Sequence, residues 1–158
     1  MSVKIIGGTK WKAALNAQAA RMTNASKVQV GFFPTATYDD GTPVAGVASV
    51  QEFGAVDAGK DHNVVIPERP FFRTAIAEGK SDCGKLIVSS LKITGGNARK
   101  ALTVVGRKTQ TDVQESIRNW SEPPNAPSTV KQKGFNDPLI GKTRRMINSV
   151  QMQVDGDD

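Results

Sequence analysis

The chain has 158 residues, 38% of them apolar and 23% charged, with 15 glycines and a formal net charge of +6. That is enough for one domain with a real core, and too balanced a composition for a disordered segment. One cysteine, Cys83, excludes an intramolecular disulfide, and one histidine, His62, leaves the usual Cys/His metal sites short of ligands.

The first apolar stretch, residues 3–8, is too short for a leader or a membrane span, so a soluble chain of cytoplasmic type is expected. Residues 3–6 read as a short strand. Thr9 then caps a predicted helix over residues 10–23, in which Trp11, Leu15, Ala19 and Met22 recur at helical spacing and are expected to pack into the core. Val28, Val30 and Phe32 alternate with Gln29 and Gly31 as a half-buried strand that Pro34 ends. The Asp39-Asp40-Gly41 stretch reads as a turn. A short helix follows, with Val44, Val47, Val50 or Gln51 and Phe53 on its inner side and Gly54 as its stop.

Residues 55–63 have no apolar rhythm and are expected to form an exposed loop, and residues 63–66 a strand. Pro67 and Pro70 hold the residues before them extended, so the segment Pro67, Arg69, Pro70, Phe71, Phe72 is predicted to be a rigid corner. Pro70 then opens a helix reaching residue 92, with Phe72, Ile76, Cys83, Ile87 and Leu91 facing inward. Cys83 on that stripe reads as a small apolar residue rather than a nucleophile. Gly95-Gly96 breaks the chain before a second long helix over residues 97–120, whose inner face is Leu102, Val105, Val113, Ile117 and Trp120. A loop over residues 121–137 precedes a last helix over 138–148 and a closing strand of Val150, Met152 and Val154. The expected architecture is a single α+β domain over residues 1–158. Its small, mostly antiparallel sheet is covered on one face by the two long helices, and residues 155–158 form an acidic tail.

The charge is unevenly distributed along the chain. Residues 1–30 carry Lys4, Lys10, Lys12, Arg21 and Lys27 with no acid, whereas residues 31–68 carry Asp39, Asp40, Glu52, Asp57, Asp61 and Glu68 against Lys60 alone. Opposite charges on separate segments suit head-to-tail contact between copies. Gly141-Lys142-Thr143 is not a phosphate loop, because Gly134 stands too far upstream and no strand leads in. With His62 alone, no Ser/His/Asp set is convincing, and the paired aspartates lack the further oxygens of a calcium loop. Lys131, Lys133, Lys142, Arg144 and Arg145 suit phosphate contact, but aromatics are sparse beside them and no readout helix is evident.

Three blocks carry a resemblance: VQVGFFPTATYDDGTPVAGVASVQEFGA, then IPERPFFRTAI, then PPNAPSTVKQKGFNDPLIGKTRRMINSVQMQV, in that order over residues 28–154. Together they resemble the bacteriophage neck or tail-completion proteins, which join the head connector to the tail of long-tailed phages. The chain departs from that pattern at Gly141-Lys142-Thr143, where family members commonly carry Asp-Thr-Gly. The resemblance implies a non-enzymatic virion subunit without cofactor, made in the host cytoplasm. It forms a ring of six copies between the head connector or adaptor and the tail tube or tail terminator, and DNA passes through it.

On that reading, loops 34–43, 54–63 and 121–137 order on assembly. Asp39, Asp40, Asp57 and Asp61 meet Lys or Arg of the next copy or tier, with Lys131, Lys133, Arg144 and Arg145 as the basic contacts. A tail terminator capping the tube is the structural alternative, and a basic DNA-binding accessory protein is the alternative from another class.

Overall fold

The computed structural model describes residues 8–58 and 64–155. Its elements, in chain order, are α1 (Gly8–Met22), β1 (Val28–Phe32), α2 (Val44–Phe53), β2 (Ala55–Ala58), β3 (Val64–Ile66), α3 (Phe71–Ile93), α4 (Ala98–Asn119), α5 (Pro127–Lys133), α6 (Arg145–Asn148) and β4 (Val150–Val154). The α+β expectation holds. The strand predicted over residues 3–6 lies outside the described residues.

β1 and β4 pair antiparallel, with Val28 opposite Val154 and Phe32 opposite Val150. Their alternation puts Val150 and Val154 fully inside, against α4. The ribbon comes very close to that helix at Gly106, where a Cβ would stand 2.7 Å from both Val28 Cγ2 and Met152 Cε. Only a residue without a side chain admits the strands to this distance. Two α4 amides secure the ribbon's end: Gln110 Nε2 donates to the carbonyl of Val150 (2.8 Å) and Gln114 Nε2 to that of Ile147 (3.3 Å). α3 lies alongside α4 and reaches β1 through Phe71, whose ring meets Phe32 edge-on at 6.3 Å.

The core gathers Val44 and Ala48 from α2, Phe71 and Ala75 from α3, Val113 and Ile117 from α4, and Leu139, Ile140, Met146 and Ile147 from the segment before β4. Val105, Val113 and Ile117 face inward as predicted, with Leu102 and Trp120 half-buried. Asn97 is the cap of α4, accepting the Lys100 N–H at 3.0 Å.

Several expectations need correction. First, α1 forms, but Trp11 is 69% exposed, and Leu15 and Met22 are also exposed. The ribbon and α3 already occupy the two apolar sides of α4, so α1 meets the chain chiefly at its C-terminal end, where Gln18 Nε2 reaches the Gly95 carbonyl at 3.4 Å. Second, α2 buries Val44, Ala48 and Glu52, an i, i+4, i+8 stripe that turns Phe53 outward. Third, residues 55–58 are strand β2 rather than loop; pairing with β3 across a bulge, not apolar alternation, fixes it.

Fourth, on α3 the deepest residues are Phe71 and Ala75, one position before the predicted Phe72 and Ile76. Ile76 is exposed, and Pro70 caps the helix rather than opening it. Fifth, the last helix shrinks to α6. A turn closed by the Arg144 N–H to the Gly141 carbonyl (3.0 Å) doubles the chain back, so Leu139–Ile140 and Met146–Ile147 reach one core without a continuous helix. The presumed loop over 121–137 likewise contains α5, which Pro127 opens and left-handed Gly134 ends.

Asp155, read from sequence as part of an acidic tail, instead clamps the end of the β1–β4 ribbon. Its carboxylate accepts from the Ser26 hydroxyl (2.6 Å) and from the backbone N–H groups of Ser26 and Lys27. These bonds, with Arg99 nearby, lower its pKa to about 2.

Candidate interaction surface

The corner after β3 is a three-way junction. Helix α3 begins at Phe71, and Pro70 has no side chain able to accept from its free N–H groups. Glu52, only 5% exposed at the end of α2, does this from another helix: its carboxylate accepts the N–H of Phe72 at 2.8 Å and of Arg73 at 3.1 Å. A carboxylate at a helix N-terminus also meets the positive end of the helix dipole. Arg73 folds back over it, donating from Nε to Glu52 at 2.9 Å and from Nη2 to Glu68, with its guanidinium 5.1 Å from the Phe53 ring centre. The Glu68 hydrogen bond, foremost, raises the pKa of Arg73.

Arg69, 4% exposed, completes the junction. It donates to Gln51 Oε1 (2.8 Å) and to the carbonyls of Pro123 (3.0 Å) and Pro124 (3.2 Å), while its own N–H meets the Gln51 carbonyl at 2.8 Å. Burial lowers its pKa. The predicted corner residues Pro67, Arg69, Pro70, Phe71 and Phe72 are thus brought together, and Arg69 ties α2, α3 and the segment before α5 into one body. Sequence reasoning missed Glu52, Gln51 and Arg73. The one signal in the sequence was a helix opened by Pro-Phe-Phe without its own cap, which calls for an acceptor from elsewhere but does not say which residue supplies it.

The β2–β3 ribbon rises directly from this junction. Gly54, at φ 72°, allows it: a Cβ there would lie 2.8 Å from the Ile66 carbonyl oxygen and 3.0 Å from the Glu68 nitrogen. Along the ribbon Val56 is 75% exposed and Val65 69%, with Val64 and Phe53 exposed beside them. Among the described residues neither outer edge pairs with a third strand. A fixed base therefore carries a projecting apolar arm with open edges, the arrangement that invites pairing with another chain.

The predicted charged contacts fall into two groups. Asp39 and Asp40 stand exposed at the tip of the turn after β1, where Asp40 accepts the Thr42 N–H at 2.9 Å, and this bond lowers its pKa. Asp57 lies exposed in the bulge of β2 at φ 58°. Lys131 and Arg144 are exposed, the latter left-handed at φ 53° before α6. Two basic residues are committed within the chain. Arg145 donates from Nε to the Thr37 carbonyl at 2.8 Å, and Lys133 donates to the Asp137 carbonyl at 2.6 Å with Phe135 beneath it. Desolvation lowers the pKa of Lys133.

Arg145 and Asp40 flank the same Tyr38, whose burial raises its hydroxyl pKa. The division of charge along the chain is thus not a division in space at this turn. Asp61, like His62, lies outside the described residues.

Compared with protein-family models, with curated proteins and with solved structures, the chain shows no match. Among the described residues no group of three His, Cys, Asp or Glu side chains gathers as metal ligands, and no helix is long and apolar enough to cross a membrane.

Proposed function

We propose that this chain is a structural subunit of a tailed-phage virion that closes with copies of itself into a ring at the neck and joins the head connector to the tail. The observation that carries this reading is the β2–β3 ribbon, whose exposed valines and open edges stand on a base locked by Glu52 and Arg69. An arm of that kind, complementary to a different face of the next copy, builds a closed ring from heterologous contacts. The three sequence blocks that resemble neck and tail-completion proteins support the same reading. They supply β1, α2, the start of α3 and the whole segment from residue 123 to β4; of these, α2, the start of α3 and Pro123–Pro124 meet at the junction. The subunit acts through shape and surface matching, its neighbours being the connector or adaptor above and the tail tube or terminator below, with DNA passing through the opening.

The test is the double substitution Val56→Asp, Val65→Asp. Both side chains face solvent in the isolated chain, so its thermal midpoint is expected to stay within about 2 °C of the parent, small surface changes being worth little. Association by sedimentation velocity, and head–tail joining in particles assembled with the variant, are expected to fail. Normal joining would refute the reading. Imaging of joined particles places the ring at the neck or, if at the end of the tube, makes it a tail terminator instead.

A further inference from the structure

The exposed face of α1 and a groove on the opposite half of the α3–α4 hairpin complement one another. α1 is 15 residues long, roughly 22 Å. Trp11, Leu15, Gln18 and Met22 share one side of it. Gln18 and Met22 rest on the turn at Gly95–Gly96, whereas Trp11 and Leu15 remain exposed. Lys10, Lys12 and Arg21 flank that stripe, and α1 contains no acid.

The groove, of about 450 Å³, runs between α3 and α4 over Ala75 and Gly79. Its rims carry Glu78, Asp82, Asp112 and Glu115 against Lys108 alone: four carboxylates less one ammonium, a net of −3. Lys108 is hydrogen-bonded to Asp112 and Lys85 Nζ lies 3.6 Å from Asp82, which leaves Glu78 and Glu115 as the acids in excess. The small floor residues leave room for an aromatic ring. The groove is also lined by Trp120, whose indole N–H is buried and has no hydrogen-bond partner among the described residues. Trp11 does not line the groove of its own chain.

We propose that α1 of one copy seats in the α3–α4 groove of the next, with Trp11 and Leu15 over Ala75 and Gly79 and the flanking cations against the groove acids. The occupant is a second copy because the helix brings cations and no acid to a groove rimmed by four carboxylates, two of them in excess, and each copy carries one of each. Such a contact is heterologous and self-propagating, and it rests on the ring reading above.

Two full-length variants test it. Lys10→Glu with Lys12→Glu makes α1 acidic, and Glu78→Lys with Asp82→Lys makes the groove basic; all four positions are exposed. Each variant alone is expected to self-associate at least tenfold more weakly than the parent by sedimentation velocity, with unchanged circular dichroism. An equimolar mixture is expected to associate again, because each α1 then faces an opposite groove. Parent-like association of either variant alone, or a mixture that stays monomeric, overturns the contact while leaving the ring reading standing. A parent chain monomeric at every concentration overturns both. Association that survives reversal of α1 while duplex DNA binding is lost assigns the helix to nucleic acid and also overturns the proposal.

Discussion

Glu52→Ala removes the cap of α3 without touching that helix. Two backbone N–H groups, those of Phe72 and Arg73, lose an acceptor held at 2.8 and 3.1 Å. A lost cap costs about 0.5–2 kcal/mol, and a partly buried charge at a helix end adds about 1 kcal/mol. The junction is enclosed, since Glu52 is 5% exposed, and water does not simply replace the carboxylate. The expected loss is therefore about 2–3 kcal/mol. In a domain of this size that lowers the thermal midpoint by about 4–12 °C.

Glu52→Gln keeps one oxygen acceptor but no charge, and is expected to lose about 1 kcal/mol. Arg73→Ala leaves both backbone bonds in place, and its side chain is half-exposed, so it is expected to cost clearly less than Glu52→Ala. The assay is urea unfolding followed by circular dichroism, at a concentration where the chain is monomeric. A Glu52→Ala variant within about 0.5 kcal/mol of the parent refutes capping in trans, as does an Arg73→Ala variant that is equally unstable.

Arg69→Ala is expected to cost about 2–4 kcal/mol and to open the segment before α5, read as faster tryptic cleavage at Lys131 and Lys133; Arg69→Lys, lacking the planar fork, restores little of it. Gly106→Ala forces Cβ into Val28 and Met152, and the overpacking is expected to outweigh the gain in helix propensity by about 1 kcal/mol, whereas Gly84→Ala meets nothing within 4 Å and is expected to add about 0.5–1 kcal/mol, both read from urea midpoints. Asp155, with its pKa lowered to about 2 in the folded chain, contributes stability that is complete above its unfolded value near 3.8 and is lost as pH falls from there through about 2. Asp155→Asn is expected to be less stable than the parent at pH 7 and to converge with it near pH 2; a constant gap would refute the linkage.

Local patterns carried most of the fold. Alternation in Val28–Phe32 and Val150–Val154, the Gly95-Gly96 break and the Asn97 cap were all legible, because each depends on residues within a few positions. Trp11 shows the limit. Its helical spacing correctly indicates an apolar face, but spacing cannot say whether the cover comes from the same chain or another. β2 was hidden for a related reason: Ala-Val-Asp-Ala has no rhythm of its own and becomes a strand through its partner and the Gly54 pivot. The corner was legible from its prolines, whereas Glu52 was not, since its purpose lies at the start of a helix twenty residues away. Charges were the least legible. Arg145 and Lys133 appear free in sequence, yet each is spent on a carbonyl that only the folded chain brings near.

The pairing of β1 with β4 has a temporal consequence. About 120 residues separate the two strands, so at about 5–20 residues per second β1 is synthesised roughly 6–24 s before its partner. During that interval Val28, Val30 and Phe32 present a bare, adhesive edge, and the helical hairpin has no ribbon to rest on. Slow, late closure follows from the long loop. The ribbon that covers α4 is therefore completed only when synthesis is nearly finished, a built-in delay in closing the core.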